Sequence, residues 1–134
     1  MRFIVMGMAT KESEAGPPPP PEAYAAMQEY NEDLAKRGIL LAAEGLTPIS
    51  KGARVKFNGE TVTVVDGPYA ESKEVVAGFS IIKADSLEEA IELVKRTPNV
   101  FPGGKAEMEI RKLMDVEDFG EGFTPNEEIA KVKF

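Results

Sequence analysis

Two stretches of this chain follow the same order of apolar strand, helical stripe and apolar strand, and that order limits the fold more than any other feature. The first runs RFIVMGM (2–8), EAYAAMQEYNEDLAKRG (22–38) and ILLAAEGL (39–46). The second runs VVAGFSIIKA (75–84), DSLEEAIELVKRTP (85–98) and AEMEIRKL (106–113). In the first helix Ala23, Met27, Tyr30 and Leu34 recur at helical spacing, with Tyr24 beside the stripe. Glu22 lies in its first turn, Lys36 and Arg37 in its last, and Gly38 is placed to cap it. In the second, Leu87, Ala90, Ile91 and Val94 share a face, Ser86 with Glu89 fits a capping box, and Pro98 stops the run. A helix with one apolar stripe needs a sheet or another helix to bury it.

Between the two stretches lies ARVKFNGETVTVV (53–65). Asn58-Gly59 is a strong two-residue turn signal. The predicted hairpin pairs Phe57 with Glu60 and Val55 with Val62. Val55, Phe57, Val62 and Val64 then share one face, and Lys56, Thr61 and Thr63 the other. Residues 9–21 read as a polar loop ending in five prolines, a stiff approach to the first helix. Strict alternation in 39–46 puts Ile39, Leu41 and Ala43 on one side and Leu40, Ala42 and Glu44 on the other. Gly45 marks a bulge or a close backbone approach. In the last strand Met108 and Ile110 oppose Glu107, Glu109 and Arg111. Residues 115–134 form a solvated acidic tail, and PNEEIAKVKF has room for one helical turn.

Without the hairpin the order is β-α-β-β-α-β, an α+β, ferredoxin-like pattern in a single domain, residues 1–134. Both helices then cover one sheet face. The other face is apolar and bare, and pairing with a second copy is the economical cover. The expectation is a homodimer with sheets facing each other.

Residue types narrow the chemistry. Cysteine and histidine are both absent. Thiolate chemistry, His-based catalytic triads and the commonest metal ligand are thereby excluded. No phosphate loop, dinucleotide fingerprint or zinc motif occurs, and neither a metal nor a cofactor is expected. The net charge of −7 and the lack of a dense basic stripe argue against direct binding of nucleic acid. No apolar run approaches a membrane span, and the apolar start is short and lacks a cleavage site, so the reading is a cytoplasmic protein.

The site question centres on VVDGPYAESKE (64–74). Two readings of Asp66 stand. At a strand end its carboxylate can accept N–H bonds from Tyr69 or Ala70, since Pro68 has none to give. Aimed into a cleft, it is a general base or proton holder whose pKa burial raises. Glu44, on a mostly apolar strand face, is the natural second acid. Ser13 and Glu14, on the loop after the first strand, are placed to close over a pocket. Tyr69 offers a phenol to a ligand or packs as an aromatic ring.

The motifs SEAG (13–16), AEGL (43–46), VVDGPYAESKEVVAGFSIIKADSLEEAIE (64–92) and EDFGEGFTP (117–125) together resemble the YCII-related proteins, in particular the DGPF-domain group. Here Tyr69 replaces the motif's Phe. The resemblance implies a dimeric α+β barrel, in agreement with the element order. Members of the wider group carry a His–Asp pair proposed as catalytic; Asp66 matches the Asp, and no residue matches the His. Some DGPF relatives are associated with sigma factors, which implies a regulatory link. Two functions follow as expectations. One is a small-molecule cleft near Asp66, with or without proton-transfer chemistry. The other is a non-catalytic regulatory or protein-interaction module.

Overall fold

The computed structural model describes residues 1–15, 19–68, 75–122, 124 and 126–132. Its strands are β1 (Arg2–Met8), β2 (Leu40–Gly45), β3 (Ala53–Asn58), β4 (Thr61–Asp66), β5 (Val76–Lys83) and β6 (Met108–Lys112). Its helices are α1 (Lys11–Ala15), α2 (Pro21–Lys36), α3 (Leu87–Val94) and α4 (Glu127–Ala130), with 3-10 turns at Ile49–Lys51, Pro102–Gly104 and Val116–Phe119. Four strands form one sheet in the order β2-β5-β1-β6, every pair antiparallel. Two sheet neighbours of β1 are therefore distant in sequence, the ferredoxin-like α+β arrangement that the element order predicts. β3 and β4 make a separate hairpin.

Both long helices lie on one face of the sheet. Phe3 and Val5 of β1, Ile82 of β5, Leu34 of α2, and Ala90 and Leu93 of α3 are buried together. Fully burying a side chain such as Phe3 contributes roughly 1.5–3 kcal/mol. In register, Phe3 faces Ile82 and Lys112, Val5 faces Ser80 and Ile110, and Gly7 faces Gly78 and Met108. Paired residues share a face, so these positions all look toward the helices. The opposite face carries Ile4, Met6, Ile81 and Phe79, which are paired with one another.

Helix ends follow local chemistry. Pro21 opens α2, where its missing N–H leaves no bond unmade. At its end Gly38 takes φ +71°, Gly38 N–H donates to Ala35 and Ile39 N–H donates to Leu34, a Schellman closure. Ser86 caps α3 by accepting from Glu89 N–H at 3.1 Å. The Glu89 carboxylate reaches back to Asp85 N–H at 2.8 Å, one residue earlier than a standard box.

Three predicted details change. The 9–21 loop contains the short helix α1, nucleated by Thr10 and Ser13: Thr10 N–H donates to Ser13 Oγ (2.8 Å) and Ser13 N–H to Thr10 Oγ1 (3.1 Å). The side-chain alternation of β2 breaks between Leu40 and Ala42, so Leu40 pairs with Ile82 on the helix side together with Ala43. Packing of the partly buried Leu40 against the core outweighs strict alternation. In the hairpin the turn is Gly59-Glu60, not Asn58-Gly59, and Asn58 pairs with Thr61, Phe57 with Val62 and Val55 with Val64. Only Gly59 has positive φ (+61°), and a turn with positive φ at its first central position alone requires glycine there. The slip preserves the faces because side-chain direction repeats every two residues.

The tail begins as an anchored turn. Lys112 at the end of β6 meets Asp118 at 2.6 Å and Asp115 at 3.3 Å. The hydrogen bond from Lys112 and the Asp115 N–H hold the Asp118 carboxyl below the usual aspartate range. The same carboxylates raise the Lys112 ammonium. A lowered carboxyl stabilises above its unfolded pKa and ceases to as pH falls through the folded value. A raised ammonium stabilises below its unfolded pKa and ceases to as pH rises through its own folded value. The anchor is therefore complete across neutral pH. Below the ordinary aspartate value of about 3.9 it weakens progressively. Amide exchange of Val116–Phe119 followed down a pH series is expected to lose protection there before β1 and β5 do; simultaneous loss would show that the pair anchors nothing.

Candidate functional site

The DGP motif is held in place by backbone packing. Gly67 N–H donates to Gly52 O at 2.9 Å, continuing the β3–β4 pairing past Asp66 and Ala53. The Gly67–Pro68 peptide is cis. A Cβ built on Gly67 would lie 1.6 Å from the Ile49 carbonyl oxygen and 3.2 Å from that of Gly52. Glycine is thus required by contact with the 49–52 turn. That turn is gripped from its other side: Ile49 N–H donates to the Glu14 carboxylate at 3.1 Å. Glu14 of α1, the Ile49–Lys51 turn and Gly67 form one interlock, joining SEAG to DGP through a residue that neither motif contains.

The sequence candidates separate accordingly. Asp66 ends β4 and is exposed, and no described residue donates to its carboxylate. Its expected donors, Tyr69 and Ala70, lie outside the described residues, as does the proposed Tyr69 phenol. Glu14 is half-buried in the interlock. Glu44 is exposed and pairs with Phe79, on the sheet face away from the helices. Ser13 faces a cavity, but its hydroxyl is engaged with Thr10, donating to the carbonyl at 3.0 Å.

That cavity, about 430 Å³, lies between α2 and the helix-side face of the sheet. Its floor is unusual. Gly7, Gly78 and Gly45 stand side by side across β1, β5 and β2, and all three line the cavity. A Cβ on Gly45 would meet nothing within 4 Å, and one on Gly7 only the Gly78 oxygen at 3.9 Å. At Gly78 it would approach the Glu44 oxygen to 3.0 Å. Only the middle glycine is therefore demanded by packing. The outer two leave room where ordinary strand residues would fill it, and glycine in a strand marks a site where a ligand or backbone approaches. The walls are Tyr24, Met27 and Tyr30 of α2, Val94, Phe101 and Met108. Sequence reading flagged Gly45 alone; the row exists only through register.

Polar groups in the cavity are few. The Tyr30 hydroxyl donates to Leu93 O at 2.8 Å, so its proton is not available to a ligand. Ser80, opposite Val5 and Ala43 on the floor, has no hydrogen-bond partner among the described residues. Asn31 and Thr97 line the walls, and Lys105 lies at the exposed edge. Among the described residues no group of three or more acidic side chains is placed to hold a metal ion. Asp115 and Asp118 of the tail take Lys112 instead.

The model of the YCII-related domain matches residues 1–114. The chain belongs to the YCII-related family. The resemblance carried by SEAG, AEGL and the DGP stretch is thereby upheld at family level. A similar protein is an uncharacterised one from Rhizobium meliloti (strain 1021), 34% identical over 68 residues. That match spans 51% of this chain and 54% of the relative, about half of each. No described helix of this YCII-related chain is long and apolar enough to cross a membrane.

The interlock makes a quantitative demand. Gly67→Ala forces the Ile49 turn to move and is expected to destabilise at the upper end of ordinary single substitutions, about 3 kcal/mol. Glu14→Gln keeps an acceptor oxygen and Asp66→Asn keeps the strand end, so each is expected to cost about 1 kcal/mol or less. Urea unfolding of the three variants checks the order; a Gly67→Ala protein as stable as Asp66→Asn would refute the close packing.

Proposed function

We propose that this YCII-related protein binds a small, largely apolar molecule in the cavity beneath α2. The observation that carries the reading is the glycine row, because two of its three members meet no steric need for glycine and both border the cavity. A volume of about 430 Å³ with apolar walls and few polar groups suits a small ligand. Ser80 supplies a hydroxyl on the floor to orient it. The chain has no His or Cys; Glu44, the one acid of the lining, pairs with Phe79 on the other sheet face, and the cavity's remaining polar side chains are hydroxyls, an amide and an ammonium. Such a set recognises a ligand better than it moves protons, which favours a binding or sensing role over acid–base catalysis. In this reading Gly67 and Glu14 serve the interlock, Asp66 ends β4 in solvent, and Ser13 shapes the cavity mouth.

The test uses glycine fillers. Gly45→Ala and Gly7→Ala are expected to leave stability unchanged or raise it by about 0.4–1 kcal/mol, by restricting the unfolded chain. Gly78→Ala is expected to destabilise. Gly45→Val should fold and lose binding to whatever a metabolite screen finds for the natural sequence. A hit retained with full affinity by Gly45→Val overturns the cavity reading.

The same reading includes a homodimer. Ile4, Met6 and Phe79, each only partly covered, lie with the buried Ile81 on the face that carries neither long helix, and a second copy would cover them. Met6→Lys puts a charge among them and is expected to give a folded monomer by sedimentation equilibrium. A natural protein that is already monomeric at micromolar concentration would sink the dimer.

A further inference from the structure

Resting on the cavity reading, we infer that the ligand is an anionic amphiphile: an apolar body beneath α2 with a carboxylate, sulfonate or similar acid head at Lys105. The argument is one of charge inventory. Among the described residues that line the cavity, Lys105 is the single cation. Glu44 is the single acid, and its pairing with Phe79 sends its side chain to the other sheet face. Lys105 has no ion-pair or hydrogen-bond partner among the described residues; Lys11, Lys51, Lys56 and Lys83 share that state, but none of them lines the cavity. In a chain of net charge −7, it is the one cation that the described lining sets beside this apolar cleft.

Its position suits the task. Lys105 follows Gly103 and Gly104, whose positive φ values (+72° and +70°) bend the chain next to Phe101. Asn99 Nδ2 donates to Gly104 O at 3.0 Å and pins that bend. Phe101 lines the apolar wall and Lys105 the exposed edge of the same cavity. One loop thus presents an aromatic contact to a ligand's body and a hydrated charge to its head, which can stay partly in water. The hydroxyls of Tyr30 and Ser13 are already engaged, so they do not compete for that head. A cationic ligand finds no carboxylate side chain in the cavity to meet it.

The experiment compares two fluorescent probes of similar shape, neutral N-phenyl-1-naphthylamine and its anionic counterpart 8-anilinonaphthalene-1-sulfonate. They are titrated into the natural protein, Lys105→Met, Lys105→Arg and Gly45→Val. The expected result is tighter binding of the anionic probe. Lys105→Met should weaken it roughly two- to fivefold and leave the neutral probe unchanged. Lys105→Arg should restore it, and added salt should weaken it in the natural protein but not in Lys105→Met. Gly45→Val should block both probes. If Gly45→Val blocks both but Lys105→Met leaves the anionic probe unaffected, the acid head is refuted and the cavity stands. If both probes bind Gly45→Val as they bind the natural protein, or neither binds the natural protein, the cavity reading itself falls and this inference with it.

Discussion

The antiparallel pairing of β1 with β5 is the constraint on which the rest of this structure depends. Its register sets Phe3 against Ile82 at one end and Gly7 against Gly78 at the other. Side chains on a strand alternate, so both pairs look toward the helices. At the first end the large residues meet Leu34, Ala90 and Leu93 and form the core. At the second end the two glycines project nothing from β1 and β5, and α2 spans an opening instead of closing a contact. Stability and vacancy are thus produced by the same two strands a few residues apart. A one-residue slip would turn both core and opening to the wrong side.

Around that opening the chain is braced by backbone contacts. Glu14 accepts from Ile49 N–H, and Gly67 lies so close to the Ile49 carbonyl that no side chain fits. The loop after β1, the loop after β2 and the end of β4 are therefore tied to one another. DGP reads more naturally as part of this brace than as a reactive centre, since its glycine has the more demanding environment and its aspartate ends a strand in solvent. The hairpin beyond it keeps Phe57 at 75% exposed beside Val55, Val62 and Val64, an apolar face with no cover among the described residues.

Much of this architecture is legible in the residues, for identifiable reasons. Helical spacing in 22–38 and 85–98 reports burial directly, and caps at Ser86 and Gly38 depend on neighbours within a few positions. The hairpin faces survive an error in the turn because period two is unaffected by a slip of two. What failed was decided at a distance. Leu40 left its expected face because Ile82 and the core lay on the other. Residues 11–15 became helical through a reciprocal Thr10–Ser13 cap whose signal is short and lies within a polar run. Ser13 and Glu14, expected on a loop, lie on α1, and of the two only Ser13 lines the cavity. Yet Glu14 holds a turn 35 positions away, which no local pattern announces.

The amino-acid order by itself determined the β-α-β-β-α-β succession, the apolar faces of both helices, and the absence of imidazole and thiol chemistry, because each follows from residue type or from spacing within one element. Only the tertiary structure decided where the cavity lies. Gly7, Gly45 and Gly78 are scattered through the chain and mean little singly. Strand pairing brings them into one row, and a pairing partner is a property of the folded sheet, not of any stretch of sequence.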